Sequence, residues 1–203
     1  MSSSTLMVIL PLAALYGAFL LWYGGRGKPM SRDELERLLA PLRERAQDHT
    51  GQSHLADIER IVARDDGCEF VLHNAIRYRT KALYPPGHDY GDSATAADRR
   101  YQRAVVPYLL RYGNLPLFVA RRSGEFVEPH GIDRWDVVAM VRYRSLRDFL
   151  RFANAVTQDR ITVHKWAAIE NTQIFPVKPF MSLIFVRASV GVLLAAIGLL
   201  LVW

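Results

Sequence analysis

WDVVAMVRYRSLRDFLRFANAVTQDRITVHKWAAIENTQIFP, Trp135 to Pro176, is the stretch on which the fold turns. Trp135 to Tyr143 reads as a strand with apolar residues on both faces: Val137, Ala139 and Val141 on one, Val138 and Met140 on the other. Ser145 and Asp148 form an S-x-x-D capping box, and Leu146, Phe149, Leu150 and Ala153 follow at helical spacing. A second strand is expected over about Ala167 to Phe175. A strand–helix–strand unit is common to many folds, so the elements around it decide.

Upstream, CEFVLHNAIRYR (Cys68 to Arg79) reads as another strand. Phe70, Leu72, Asn74, Ile76 and Tyr78 share one face, and Val71, His73, Ala75 and Arg77 the other. Arg79 to Thr95 is a long polar loop with a turn at Pro85-Pro86-Gly87. Loops of this length in compact domains are often functional. Thr95 with Asp98 reads as the capping box of a helix whose apolar stripe is Tyr101, Ala104, Val105, Tyr108, Leu109 and Tyr112. Pro107 predicts a kink in it and Gly113 its end. Leu115 to Phe126 reads as a strand with a turn at Ser123-Gly124. The order strand–helix–strand–strand–helix–strand predicts an α+β fold of the ferredoxin-like split βαβ kind. Two helices cover one face of such a sheet and leave the other in need of a partner.

The core from about Leu55 to Pro176 resembles the ferredoxin-like dimeric α/β-barrel superfamily, in a small branch of unknown function. The resemblance is carried by HNAIRYR (from His73), RRYQRAVVPYLLRYGNLPLFVAR (from Arg99), WDVVAMVRYRSLRDFL and HKWAAIENTQIFP, and spans about three fifths of the chain. It implies paired protomers with their sheets face to face around a cavity. It implies no activity, because relatives include monooxygenases, haem-degrading enzymes, isomerases and non-catalytic binders. Two added membrane helices depart from that family.

Those helices are read from the ends of the chain. LMVILPLAALYGAFLLWY (Leu6 to Tyr23) is uncharged, and so is ASVGVLLAAIGLLLVW (Ala188 to Trp203), which extends back to Phe180 with only Arg187 interrupting it. At ~1.5 Å per residue such runs reach roughly 27 to 36 Å, enough for the hydrocarbon core. MSSST lacks the basic n-region of a signal peptide. Arg26, Lys28, Arg32, Lys165, Lys178 and Arg187 lie between or at the inner ends of the two runs, while the outer tails carry no charge. The positive-inside rule therefore predicts a cytoplasmic domain with both termini across the membrane, in a bacterial-type inner (plasma) membrane. The lone Cys68 suits a reducing compartment. Small residues four apart, Ala13/Gly17 and Gly191/Ala195, predict close packing of the two helices. The resulting division is a transmembrane helix over 5–23, an amphipathic helical linker over 31–64, the α/β domain over 65–178 and a second transmembrane helix over 181–203. In the linker, Ser31 and Glu34 form a capping box before Leu35, Leu38, Leu39 and Leu42, with a break expected near Pro41 and the helix lying at the membrane surface.

The formal net charge of +6 is accounted for by anionic lipid headgroups near a tethered domain. No helix-turn-helix, zinc spacing or RNP-like strand supports nucleic-acid binding. The ligand-binding candidates are Asn74, Tyr78, Trp135, Tyr143 and His164, with His73, Arg77 and Arg142 considered beside them. Asn74 stands out, since an amide among Phe70, Leu72 and Ile76 needs hydrogen-bond partners. It would either orient a ligand or pair with neighbouring backbone. Catalytic residues are not legible: H-E-x-x-H, G-x-S-x-G and a phosphate-binding glycine loop are all missing. His88, Asp89 and Asp92 lie close in sequence without a recognisable metal spacing, so no metal is expected. No motif requires a cofactor. The expectation is a membrane-anchored module that forms a homodimer or higher homo-oligomer and binds a small apolar or lipid-derived ligand. The competing readings are a monooxygenase-like or haem-handling enzyme using the barrel cavity, and an accessory subunit of a larger membrane complex.

Overall fold

The computed structural model describes residues 3–24, 27–47, 52–88, 90–127, 134–158, 160–178 and 185–202. The elements run α1 (Ser3–Gly24), α2 (Arg32–Gln47), α3 (Gln52–Val62), β1 (Phe70–Tyr78), α4 (Ala94–Arg111), β2 (Leu115–Arg121), β3 (Val137–Tyr143), α5 (Leu146–Gln158), α6 (Thr162–Ala168), β4 (Ile169–Val177) and α7 (Val186–Val202). The chain divides into two units, Met1–Gly25 with Pro179–Trp203, and Arg26–Lys178.

In the first unit α1 and α7 pack antiparallel. Thr5–Gly24 is long and apolar enough to cross a membrane, 20 residues with a mean hydropathy of 2.0. The apolar part of α7, Val186–Leu201, is shorter, about 24 Å by helical rise against a hydrocarbon core of ~30 Å. Residues 179–184, into which the sequence reading extends this run, lie outside the described residues. The close approach uses one member of the expected small-residue pairs. A Cβ on Gly191 would stand 3.2 Å from the Tyr16 hydroxyl oxygen, and one on Gly198 would stand 3.1 Å from Leu12 Cδ1, whereas Gly17 has nothing within 4 Å. The Tyr16 hydroxyl donates to the Arg187 carbonyl at 3.1 Å, and the Arg187 guanidinium lies 4.6 Å over the Tyr23 ring. Bulk from α1 thus fills the glycine gaps of α7.

In the second unit a four-stranded sheet has the order β2-β3-β1-β4, and every neighbouring pair is antiparallel. Phe70 and Leu72 stand opposite Tyr143 and Val141. These side chains join one core cluster with Val105 and Leu109 of α4 and Leu146, Leu150 and Phe152 of α5. Helices α4 and α5 therefore cover the face that carries Phe70. Leu150, 0% exposed, sits at the centre of that core.

The segment 31–64 is part of this packing. Leu39 and Leu42 of α2 and Val62 of α3 belong to the same cluster, so the apolar stripe of α2 is buried within the unit rather than laid on a membrane surface. Arg147 on α5 binds Glu34 at 2.6 Å and donates to the Lys28 carbonyl at 3.3 Å. Asn154 Nδ2 donates to the Leu38 carbonyl at 2.8 Å. Helix α2 is unbroken through Pro41, as α4 is through Pro107.

Capping follows the sequence at two of three sites. Ser31 Oγ accepts from the Glu34 amide at 3.2 Å, and Ser145 Oγ accepts from the Asp148 amide at 3.2 Å. Helix α4 starts one residue before Thr95, with Ser93 as its cap accepting from the Ala96 amide at 3.2 Å. Strand β2 stops at Arg121, and β3 starts at Val137 rather than Trp135. The largest departure is α6, which occupies Ala167 and Ala168 where the last strand was expected to begin. Alanine is the strongest helix former, and these two are buried against Ala97 of α4. The small side chains let two helix backbones meet there.

The turn Asp65-Asp66-Gly67 holds both ends of this unit. Asp65 Oδ2 accepts from the Met30 amide at 2.8 Å, and Lys178 pairs with Asp66. Gly67 has φ +73° and lies so close to the Lys28–Pro29 backbone that a Cβ would fall 2.3 Å from Lys28 C.

Candidate functional site

Cross-strand register defines the face opposite α4 and α5. Phe118 stands beside Met140, Met140 beside His73 and His73 beside Phe175, a row running over all four strands. The adjacent row is Ala120, Val138, Ala75 and Gln173. Phe118 is 47% exposed and Phe175 40%. None of these side chains belongs to either buried cluster of the described residues. The His73 ring stacks on Phe175 at 4.8 Å, and its Nδ1 is buried with no hydrogen-bond partner among the described residues. At one end of the face Arg142 is held by Glu69 at 3.0 Å and by the Gly113 carbonyl at 3.1 Å.

The sequence-predicted candidates lie elsewhere. Asn74 and Tyr143 are on the helix-covered face. Asn74 Nδ2 donates to the Leu72 carbonyl at 3.0 Å and lies 3.4 Å from that of Ala139, so its amide is tied to backbone. Tyr143 is buried and stacked on Phe70 at 5.5 Å, and burial pushes its phenol pKa up. Trp135 is half-buried just before β3.

Tyr78 and Tyr84 both pack against the alanine cluster of α4 and α6, and Tyr84 is the residue that meets His164. The Tyr78 hydroxyl bonds to Asp98, and burial raises the pKa of both groups. Gln102 Nε2 donates to Asp98 Oδ2 at 2.6 Å. The loop after β1 is fastened to α6: the Arg79 and Leu83 amides donate to the Ala168 and Ala167 carbonyls, each at 2.9 Å.

That fastening assembles a second cluster. The Tyr84 hydroxyl and His164 Nδ1 share a hydrogen bond of 2.9 Å, and Arg100 Nη1 lies 3.5 Å from the same hydroxyl. Tyr90 meets His164 edge-on at 4.8 Å, with the Arg100 guanidinium 5.6 Å over its ring. Burial lowers the His164 pKa, and the positive charge of Arg100 and His88 lowers it further. Next in α6, the Lys165 ammonium lies 4.9 Å from the Trp166 ring and 5.9 Å from that of Tyr101. Lys165 is half-buried, and withdrawal of its ammonium from water brings the pKa down to about 8. Tyr84, Tyr90, Arg100 and Lys165 were missed from sequence. The available signal was Tyr84, His88 and Tyr90 within one loop that joins a strand to a helix.

Among the described residues no group of three His, Cys, Asp or Glu side chains converges to hold a metal. Of the expected trio, Asp89 lies outside the described residues.

No protein-family model matches the chain, and no curated protein matches it. Solved structures do. A protein of unknown function from Rhodopseudomonas palustris is similar with a TM-score of 0.55 and 22% identity, over 64% of this chain and 94% of that one. The methylated form of the same protein gives a TM-score of 0.54 and 22% identity, over 64% of this chain and 91% of that one. The likeness is one of fold: an antiparallel sheet with helices, here in a chain that carries about a third of its length beyond the match.

Proposed function

We propose that this chain is a membrane-anchored ferredoxin-like module that pairs with a second copy through the uncovered face of its sheet and encloses a small apolar ligand between the two sheets. One observation carries the reading: the Phe118–Met140–His73–Phe175 row is apolar and aromatic, and no described helix packs on it. The strand order and the β–α–β–β–α–β succession support the ferredoxin-like assignment, with α6 as an addition before the last strand. Stacked sheets sit ~10 Å apart, close enough for two such rows to bury each other. A two-fold dimer makes one patch serve as both halves of the interface.

Helices α1 and α7 act as two spans, and basic residues between them keep the folded domain cytoplasmic at the inner membrane, near anionic headgroups. A reporter fused after Trp203 then behaves as non-cytoplasmic; a cytoplasmic signal overturns the two-span topology.

The test of pairing is the mass of the full chain in detergent. Two chains per particle are expected, and Met140→Asp should return one. A wild-type monomer at micromolar concentration defeats the reading, as does a dimer that survives both Met140→Asp and Phe175→Asp. A fixed-ratio second polypeptide would favour the accessory-subunit alternative. The haem-handling alternative has one specific support, the His73 imidazole on this face with Nδ1 unpartnered among the described residues. Soret absorption of the purified protein, lost in His73→Ala, would favour it.

A further inference from the structure

Several partly buried arginines of the folded unit meet a carboxylate. Arg77 binds Glu170 at 2.8 Å, Arg144 binds Asp148 at 2.7 Å, Arg147 binds Glu34 at 2.6 Å, and Arg142 pairs with Glu69. Arg45, which donates to the Asn154 carbonyl, and Arg79, whose Nε is buried without a partner among the described residues, depart from that pattern, and so does Arg100 beside His164. Arg100 and Lys165 have no carboxylate partner among the described residues, and neither do His88 and His164. His88 Nδ1 is buried there and unpartnered among the described residues. A half-buried cation that no described carboxylate neutralises is costly, and Arg100 in that position is what a site for an anion requires.

The shapes narrow the anion. A guanidinium presents a planar fork that suits a carboxylate in bidentate fashion. With the Tyr84 hydroxyl donating to Nδ1, a neutral His164 carries its proton on Nε2 and offers that N–H to an oxygen. The flat surfaces are Tyr90, 43% exposed, and Trp166, 37% exposed. Aromatic rings favour stacking with another flat ring. These parts come from three segments, the loop after β1, α4 and α6, and the backbone bonds from Leu83 and Arg79 to α6 fix them together.

We propose that the Arg100–His164–Tyr84 cluster binds a small aromatic carboxylate, with the carboxylate on Arg100 and His164 and the ring against Tyr90. The site lies on the helix-covered side of the sheet and is independent of pairing through the open face.

The experiment uses the full chain in detergent, with labelled histidines followed by NMR and the His164 resonance assigned through His164→Gln. Benzoate is the probe. It should produce a saturable shift at His164 and raise that imidazole's titration midpoint, because a bound carboxylate offsets the field of Arg100 and His88. Among the described residues the remaining groups beside the ring are Tyr84 and Tyr90 from the loop and Lys165 from α6, and none of them supplies a negative charge at neutral pH. Arg100→Gln should weaken benzoate by about 10- to 100-fold, the worth of a charge-assisted hydrogen bond, and Arg100→Lys should recover part of the loss. Benzamide, neutral and of the same shape, and inorganic phosphate, charged but without a ring, are the contrasts. No saturable shift with benzoate overturns the site. Benzamide binding equally well overturns the role of the carboxylate, and phosphate binding equally well overturns the role of the ring. These comparisons need only the wild-type protein, so they hold even if an Arg100 variant fails to fold.

Discussion

Substituting alanine for Gly67 adds one methyl group at φ +73°, with Lys28 C 2.3 Å away, Pro29 N 2.5 Å and Lys28 Cα 2.8 Å. Carbon atoms are comfortable at about 3.5–4.0 Å, so the 28–29 backbone must retreat by more than about 1 Å. Two costs combine. The left-handed backbone conformation costs an alanine about 1–2 kcal/mol, and overpacking costs a further ~1–3 kcal/mol. If the segment detaches instead, the second cost becomes the Met30 amide bond to the Asp65 carboxylate, worth about 1.5–3 kcal/mol. Either way the loss is roughly 2–5 kcal/mol. Gly87→Ala is the matched control: φ is +86°, but nothing lies within 4 Å of the added carbon, so only the conformational cost of about 1–2 kcal/mol applies. Thermal unfolding of the full chain in detergent, followed by circular dichroism, should place Gly67→Ala about 2–12 °C below Gly87→Ala. Hydrogen exchange should show faster loss of the Met30 amide in Gly67→Ala alone. Equal melting of the two variants, with Met30 equally protected, would refute the close packing of the 27–31 segment on the Asp65–Gly67 turn.

Two further outcomes follow from the contacts. The Arg147 hydrogen bond holds the Glu34 carboxyl below its ordinary value of 4.5, so the native state binds that proton less readily than the unfolded chain. The stabilisation is complete above the ordinary carboxylate range and is lost as pH falls through the lowered folded value. Glu34→Gln should therefore lose stability at neutral pH and converge with wild type in acid, and a constant deficit at all pH values would contradict the pairing. In the helix pair, Leu12→Cys with Gly198→Cys in a Cys68→Ser background should crosslink within one chain on oxidation, while Gly17→Cys with Gly191→Cys should not. The reverse pattern would mean that α1 is rotated about its axis.

How far the sequence reaches depends on whether a residue's role is set by its neighbours along the chain or across space. The strands and helices of the sheet were legible because alternation at Phe70–Tyr78 and Val137–Tyr143, and helical spacing at Leu146–Ala153, are local patterns. The Ser31 and Ser145 caps were legible for the same reason. Helix α6 was not, because a seven-residue helix is too short to display a period, and its identity rests on Ala167 and Ala168 meeting Ala97. The role of Asn74 was open for a related reason: alternation places it on a face, but only the sheet shows that its amide reaches the Leu72 carbonyl. The His164 cluster lay furthest from view. Its members come from positions 84 to 164 and are joined by backbone bonds between an irregular loop and α6, a pairing that no period announces. A one-sided charge balance was nevertheless present in the chain, 26 basic against 20 acidic residues. The sequence reading gave that excess to lipid headgroups. The structure pairs Arg77, Arg142, Arg144 and Arg147 with carboxylates and leaves Arg100, beside His164, with no carboxylate partner among the described residues. If benzoate binds there, Arg100 is one part of the excess that a ligand's charge completes.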